Sequence, residues 1–384
     1  MRVGIDIRHI TDFGVGTYIR NVIRSLGRID SVNEYFLLGG AEHVRELGNL
    51  PENFHGIDLR RRTGFGGYLD FRGAVKESGL DVLHVPHLMG VPQYLSCPYV
   101  ITVHDLLDYL YRNHSSGARQ TVNFYCTRHV LTHAARIFAV SNFTKKDIER
   151  VFGIPEHAIE VVYNAIDPRF CQGHASDADR QFIAERYQVN YPFILYTGRI
   201  SPHKNIARII EAFAALKTEL EKTDQCPDVK LIIIGDEVSR HPDLRRTVIK
   251  SGVQNDVRFL GFVPIDILRI FYDAAKVFVF PSLYEGFGLP PLEAMAHGTP
   301  VVTSNTSSLP EVVGNAAVLV NPENVFDIMR ALHRVLVDAQ LRDKLKQRGY
   351  EQAQRYSWDA SARRILQVYT EVAGGTYKNR AVAR

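Results

Sequence analysis

The stretch PSLYEGFGLPPLEAMAHG, residues 281–298, decides the fold. It follows the apolar run Val277–Phe280, which reads as a buried strand. Gly286 and Gly288 free the backbone so that its N–H groups can face a ligand. Pro290 and Pro291 then open a short helix, where the fixed φ and missing N–H of proline do no harm. Gly298 closes that helix as the residue after its C-cap. Glu285 lies in the loop and Glu293 in the first helical turns, so both carboxylates can face one pocket beside a helix N-terminus. An ionised carboxylate only accepts hydrogen bonds, so it suits the hydroxyls of a sugar or ribose rather than phosphate. A turn with a helix-start acid would explain Glu293 but not the whole string.

Working outward, the same strand-then-helix unit recurs along the chain. Val3–Ile7, Tyr35–Leu38, Val82–Val85, Val100–Val103 and Ile137–Val140 read as strands, with a helix over Tyr18–Leu26. The pattern then restarts with Phe193–Tyr196, Leu231–Ile234, Val257–Phe259, Val277–Phe280 and Val301–Val302, and with helices over 206–220, 265–275 and 291–296. Continuous apolar strands alternating with helices imply parallel sheets covered on both faces. The fold class is therefore α/β, with two doubly wound Rossmann-like domains, as a length of 384 residues also suggests. The polar linker between Pro168 and Tyr191 places the division at 172/173, giving domains 1–172 and 173–356. A last helix begins at Trp358, and the tail beyond it reads as disordered. Ligands of such sheets bind beyond the carboxyl ends of the strands, and with two domains the cleft between them is the expected site.

Several residues just after strands fit that rule. Thr197-Gly198-Arg199-Ile200-Ser201-Pro202-His203-Lys204-Asn205 offers a guanidinium fork, an ammonium and a helix N-terminus, which together suit a diphosphate. An ordinary basic loop is the plainer reading. His104, at the end of Val100–Val103, would point into the cleft or form a satisfied pair with Asp105. Gly14 and Gly16 precede a helix, but Ile19 stands where a dinucleotide fingerprint has its third glycine. A plain turn fits them as well as phosphate contact, and a nicotinamide enzyme is disfavoured.

The bulk numbers exclude little else. A formal charge of +4 gives no argument for nucleic acid. The four cysteines are far apart and form neither a zinc motif nor a disulfide framework, which fits a reducing cytoplasm. No leader is read at MRVGIDIRHI, and no apolar run approaches the roughly 20 residues that span a bilayer. Ten of the fifteen histidines fall before residue 160, from chance or because the first half holds a polar cleft.

At Glu285 and Glu293, with GFGLPPLEAMAHGTPVV around them, the sequence resembles the retaining glycosyltransferase family 4, of GT-B fold. The resemblance extends to Gly198-Arg199, Lys204-Asn205, Leu260-Gly261-Phe262-Val263, Ser308-Leu309-Pro310-Glu311-Val312, His104-Asp105 and the Gly14–Gly16 segment, covering roughly residues 2 to 370. It implies that Glu293 binds the ribose hydroxyls. Glu285, with the backbone of Gly286, Phe287, Gly288 and Leu289, would hold the transferred sugar and distal phosphate. Arg199 and Lys204 would neutralise the diphosphate, and Val263 would meet the base through its backbone. His104 would contact the donor sugar, Gly14 and Gly16 would close over the phosphates, and the last helix would cross back onto the first domain. Loose similarity to bacterial mannosyltransferases of polysaccharide and lipopolysaccharide synthesis implies GDP-mannose as donor, with UDP-sugars open, and a glycan or lipid-linked acceptor. No metal or other cofactor is expected, since two cations beside the leaving oxygens can stabilise the departing diphosphate. A sugar-nucleotide epimerase or hydrolase, and a non-catalytic nucleotide- or glycan-binding protein, are the alternatives. Oligomeric state and any enzyme nucleophile stay open.

Two surfaces mix basic and aromatic residues, as an anionic bilayer surface requires. One is Arg60-Arg61-Arg62 with Phe65, Tyr68, Phe71, Arg72 and Lys76. The other is Arg119, Arg128 and Arg136 near Phe124 and Tyr125. Either is an ordinary solvated face or a site where a cytoplasmic enzyme docks peripherally on the inner membrane.

Overall fold

The first sheet comprises β1 (Arg2–Asp6), β2 (Glu34–Gly39), β3 (Phe54–Asp58), β4 (Val82–Val85), β5 (Tyr99–Val103), β6 (Arg136–Ala139) and β7 (Ile159–Val161). The second comprises β8 (Phe193–Thr197), β9 (Lys230–Ile234), β10 (Val257–Gly261), β11 (Val277–Phe280), β12 (Val301–Ser304) and β13 (Ala317–Val320). These elements come from a computed structural model, which describes residues 1–375 apart from 60–63, 89, 92–93, 112–116, 172, 227 and 236–237. All pairings are parallel, in the orders β3-β2-β1-β4-β5-β6-β7 and β10-β9-β8-β11-β12-β13. Strand order reverses beside β1 in the first sheet, where Val3 pairs with both Tyr35 and Val82. It reverses beside β8 in the second, where Ile194 pairs with both Leu231 and Val277. Such reversals leave a crevice at the strands' carboxyl ends. β4, β5, β8, β11 and β12 are buried along their whole length, as strands covered by helices on both faces must be.

The chain forms two compact units, Met1–Asn164 with the segment from Ser357 onward, and Ala165–Tyr356. The turn Pro168–Cys171 goes with the second unit because Phe170 is buried and packs edge-on against Tyr272, ring centroids 5.9 Å apart.

The C-terminal helix, Trp358–Ala373, completes the first unit. Ser357 caps it by accepting a hydrogen bond from Ala360 N. Trp358, Ala362, Ile365, Val368, Tyr369 and Val372 line one buried face, the spacing of an amphipathic helix. Trp358 meets Tyr18 of the helix Phe13–Ile29 at 5.9 Å, and Arg28 pairs with Asp359 at 2.5 Å. The Tyr369 hydroxyl lies 2.5 Å from Nδ1 of the fully buried His84, whose Nε2 lies 2.7 Å from Thr102 Oγ1. That bond can be tested, because Trp358 is the only tryptophan in the chain and reports on this helix. Tyr369→Phe strands a buried ring nitrogen and should cost about 1–3 kcal/mol. Urea unfolding followed by Trp358 fluorescence should show a lower midpoint, and an unchanged midpoint would refute the bond's contribution.

Candidate functional site

In the second unit, β8 and β11 are neighbours, and the loops leaving their carboxyl ends brace one another. Leu283 N donates to His203 O at 2.8 Å. Asn205, buried and at φ 64°, sends its amide to Pro281 O at 3.0 Å and Pro322 O at 2.7 Å. Lys204 Nζ thereby reaches Glu285 Oε1 at 2.6 Å, with both side chains largely covered, and stands 5.3 Å from the Phe280 ring. Arg199, from the same loop, is exposed.

The loop from Glu285 to Gly288 is held from below. Ser308 Oγ is fully buried within hydrogen-bond reach of Glu285 O at 2.9 Å and Phe287 O at 2.7 Å. Glu285 N donates to Ser307 Oγ at 3.1 Å. Gly288, at φ 109°, starts the helix Leu289–Ala296, and a Cβ there would stand 2.7 Å from Leu309 Cδ2. Only glycine fits that position. Pro290 and Pro291 lie in the helix's first turn as expected, and Gly298 follows its C-cap at φ 69°.

Glu293 projects from this helix. Its Oε2 accepts the Tyr272 hydroxyl at 2.9 Å, and that hydroxyl is also 2.6 Å from Thr197 Oγ1 at the end of β8. The side chain as a whole is partly accessible while its carboxyl group is enclosed. Burial pushes its pKa from 4.5 up to about 7, against the Tyr272 hydrogen bond, which favours the ionised form. Val263 is buried just beyond β10, beside Phe262, which is 78% exposed.

The first unit gathers a different set. His104, after β5, lies with Nε2 3.0 Å from Pro86 O and its ring edge-on to Tyr18 at 5.0 Å. Burial lowers its pKa to about 4, so the ring is neutral. Asp105 accepts instead from Leu107 N at 3.0 Å. Asp6, at the end of β1 and fully buried, accepts hydrogen bonds from the backbone N–H and the guanidinium of Arg8 and lies 2.9 Å from His87 Nε2. Burial opposes its charge, yet His87 and Arg8 hold the carboxyl well below the usual range. The His9 ring lies tilted against His87, ring centroids 3.9 Å apart. Sequence reasoning missed Asp6, Arg8 and His87 as a group, although the uneven histidine count pointed to this half of the chain.

Two expectations need correction. Gly14 and Gly16 are not in a loop before the helix: it starts at Phe13, so both are helical. A Cβ on Gly16 would stand 2.1 Å from Ile10 O, so close backbone packing explains this glycine. Phe71 is not on a surface face, because it is fully buried under the Arg8 guanidinium at 4.3 Å. Phe124 likewise turns inward to stack on Phe152 at 5.2 Å. Arg60, Arg61 and Arg62 lie outside the described residues, as do the side chains of Phe65 and Arg119 and the tail 376–384.

Two parallel α/β units with this carboxylate–lysine loop pair describe a GT-B glycosyltransferase. Residues 177–352 match the family described as glycosyl transferases group 1, and residues 14–170 match glycosyltransferase family 4. The chain is 30% identical over 305 residues to the uncharacterized glycosyltransferase MJ1607 of Methanocaldococcus jannaschii, covering 75% of each chain. It is 34% identical over 240 residues to the O-antigen chain mannosyltransferase B of Escherichia coli, covering 62% of this chain and 61% of that one. Its fold is similar to that of Anabaena HepE solved with UDP and glucose, at TM-score 0.78 and 18% identity, over 97% of this chain and 100% of that one. The chain belongs to glycosyltransferase family 4.

The raised pKa of Glu293 has a thermodynamic consequence. Its pKa exceeds the unfolded value, so its contribution to stability is complete below 4.5 and is lost as pH rises through about 7. The loss is at most on the order of 3 kcal/mol. Comparing unfolding at about pH 5 and about pH 8 should show a steeper fall for the wild type than for Glu293→Gln. Parallel profiles would refute the burial of this carboxyl.

Proposed function

We propose that this protein moves a hexosyl group, mannosyl by preference, from a nucleotide-diphosphate sugar to a glycan or lipid-linked acceptor, with retention at the anomeric carbon. The observation that carries this reading is the Lys204–Glu285 pair at 2.6 Å beside the braced 285–288 loop. A loop held open in this way presents backbone N–H groups, a carboxylate and an ammonium together. Lys204 and the exposed Arg199 would take up the charge that builds on the departing diphosphate, with no metal required at that position. A unit charge pair at 4 Å is worth about 4 kcal/mol at an effective dielectric near 20. Glu285 and the backbone of Gly286 to Leu289 would hold the sugar and distal phosphate. Glu293, ionised above about pH 7, would accept the two ribose hydroxyls, and Val263 would pack the base. His104, as a neutral ring, suits a sugar hydroxyl. Similarity to the O-antigen chain mannosyltransferase supports mannose as the sugar transferred, and we take GDP-mannose as the donor, with UDP-sugars open. An epimerase, a hydrolase or a binding protein is less well supported, since no relative named above is described as one.

Lys204→Ala should lower kcat/KM by about 10²–10³, while Glu293→Ala should chiefly raise the donor KM, both with wild-type secondary structure by circular dichroism. Near-wild-type transfer from GDP-mannose by either variant would sink the assignment. In a thermal-shift series GDP-mannose should stabilise more than UDP-sugars, by about 2.7 kcal/mol at 100 times its dissociation constant.

A peripheral membrane contact is the second part of the proposal. No helix among the described residues is long and apolar enough to cross a membrane. The helix Gly117–His133 exposes Val122 and Tyr125, 61% and 62% accessible. Arg72 stands 5.9 Å from the Tyr68 ring in the helix Gly64–Glu77. Vesicles rich in anionic lipid should sediment the protein at low salt and release it at high salt. No binding at low salt would remove the idea.

A further inference from the structure

The second unit holds a group of side chains that sugar transfer does not use. His174 follows the turn Pro168–Cys171, Asp273 ends the helix Ile265–Ala274, and His297 caps the helix Leu289–Ala296. Asp273 Oδ1 lies 2.9 Å from His174 Nδ1 and 3.2 Å from His297 Nδ1, and the three residues' ligand atoms all fall within 4.8 Å of one another. Among the described residues this is the one such trio.

A second observation points to a ligand. The His297 side chain is 1% exposed, yet neither ring nitrogen makes a hydrogen bond. Nδ1 is close to Asp273 but misaligned for an N–H···O bond. Burying a polar atom without a partner is costly, so a native site of this kind calls for an explanation. With both ring nitrogens unpartnered beside the Asp273 carboxylate and the His174 imidazole, a metal ion shared by the three would supply the missing partner.

We propose that His174, Asp273 and His297 form a site for one divalent transition ion of the zinc class. Metal–ligand bonds of about 2.0–2.2 Å at tetrahedral angles place ligand atoms about 3.3 Å apart. The two edges at Asp273 already match, and rotation of the exposed His174 shortens the third. The outer contacts suit a metal as well. Asp273 Oδ2 accepts from Ala175 N at 2.6 Å, and the Tyr350 hydroxyl is 3.4 Å from His174 Nε2. Such bonds orient ligands and fix which ring nitrogen is free. Two imidazoles and one carboxylate leave a fourth position for water on the exposed His174 side. The ion's role is structural: it ties the segment at His174 to two helix ends. His297 stacks on Tyr272 at 5.9 Å, and Tyr272 holds Glu293.

The test uses tag-free, chelator-treated full-length protein with Co²⁺ and Zn²⁺ as probes. The wild type should bind one Co²⁺ per chain with the visible bands of four-coordinate cobalt, displaced by Zn²⁺, and Zn²⁺ should raise its melting temperature. His174→Ala changes an exposed residue, so it should fold and keep metal-free transfer activity. It should lose the cobalt bands and bind at least about tenfold more weakly, whereas His157→Ala should match the wild type. An absence of cobalt bands, or equal Zn²⁺ stabilisation of wild type and His174→Ala, would overturn the proposal and leave a hydrogen-bonded trio.

Discussion

The second unit turns on one phenolic hydroxyl. Tyr272 is fully buried and its oxygen touches both Glu293 and Thr197. It has a single proton. An ionised Glu293 can only accept, so that proton goes to the carboxylate and Thr197 must donate to the phenol. This ordering links the end of β8 to the helix after β11, across the reversal in strand order. A buried carboxylate with no partner would pay several kcal/mol for its charge. The Tyr272 bond offsets part of that, and a pKa near 7 is the resulting balance. Thr299 Oγ1 also donates to the Tyr272 carbonyl, so the backbone behind the phenol is fixed too.

The same economy of motion governs the loops. Lys204 and Glu285 come from loops that follow different strands, and their meeting depends on Asn205, His203 and Ser308 holding backbone on both sides. Groups placed before a ligand arrives cost no reorganisation when charge develops, which is why fixed donors stabilise transition states more effectively than water. Exchanging Ser308 for a residue without a hydroxyl would leave the carbonyls of Glu285 and Phe287 without this partner while changing no residue that faces a ligand.

What the sequence disclosed followed local pattern. Central strands are apolar on both faces and were plain to read. β3, β7 and β13, unread, are all sheet edges, half exposed and short of continuous apolar character: β3 is FHGID. Glu285, Arg199 and Lys204 were picked out because each lies in a loop after a strand, near glycine or proline, and Glu293 because it sits in the short proline-started helix that follows. Asp6 and His87 were not, since their contact joins residues 81 apart and leaves no periodic trace. His174, Asp273 and His297 share that property. Phe71 misled because a run of basic and aromatic residues resembles a surface, whereas the helix period turns this ring inward.

The two units differ in the kind of charge they offer. Burial lowers the pKa of His84 to about 3 and of His104 to about 4, so both rings are neutral. Arg8 balances Asp6 at 2.8 Å, leaving that pair without net charge. Neutral rings both donate and accept, which suits hydroxyl groups and adds nothing to the hold on a phosphate. In the second unit Lys204 is balanced by Glu285, so the exposed Arg199 supplies the cation that the pair does not neutralise. Arrival of a diphosphate would set two anions competing for Lys204. The carboxylate of Glu285, partly released, would then be available to hydroxyls of the same ligand. Under the proposed function, the ion pair would couple phosphate recognition to sugar recognition within one loop, through an interaction that already exists before either is bound.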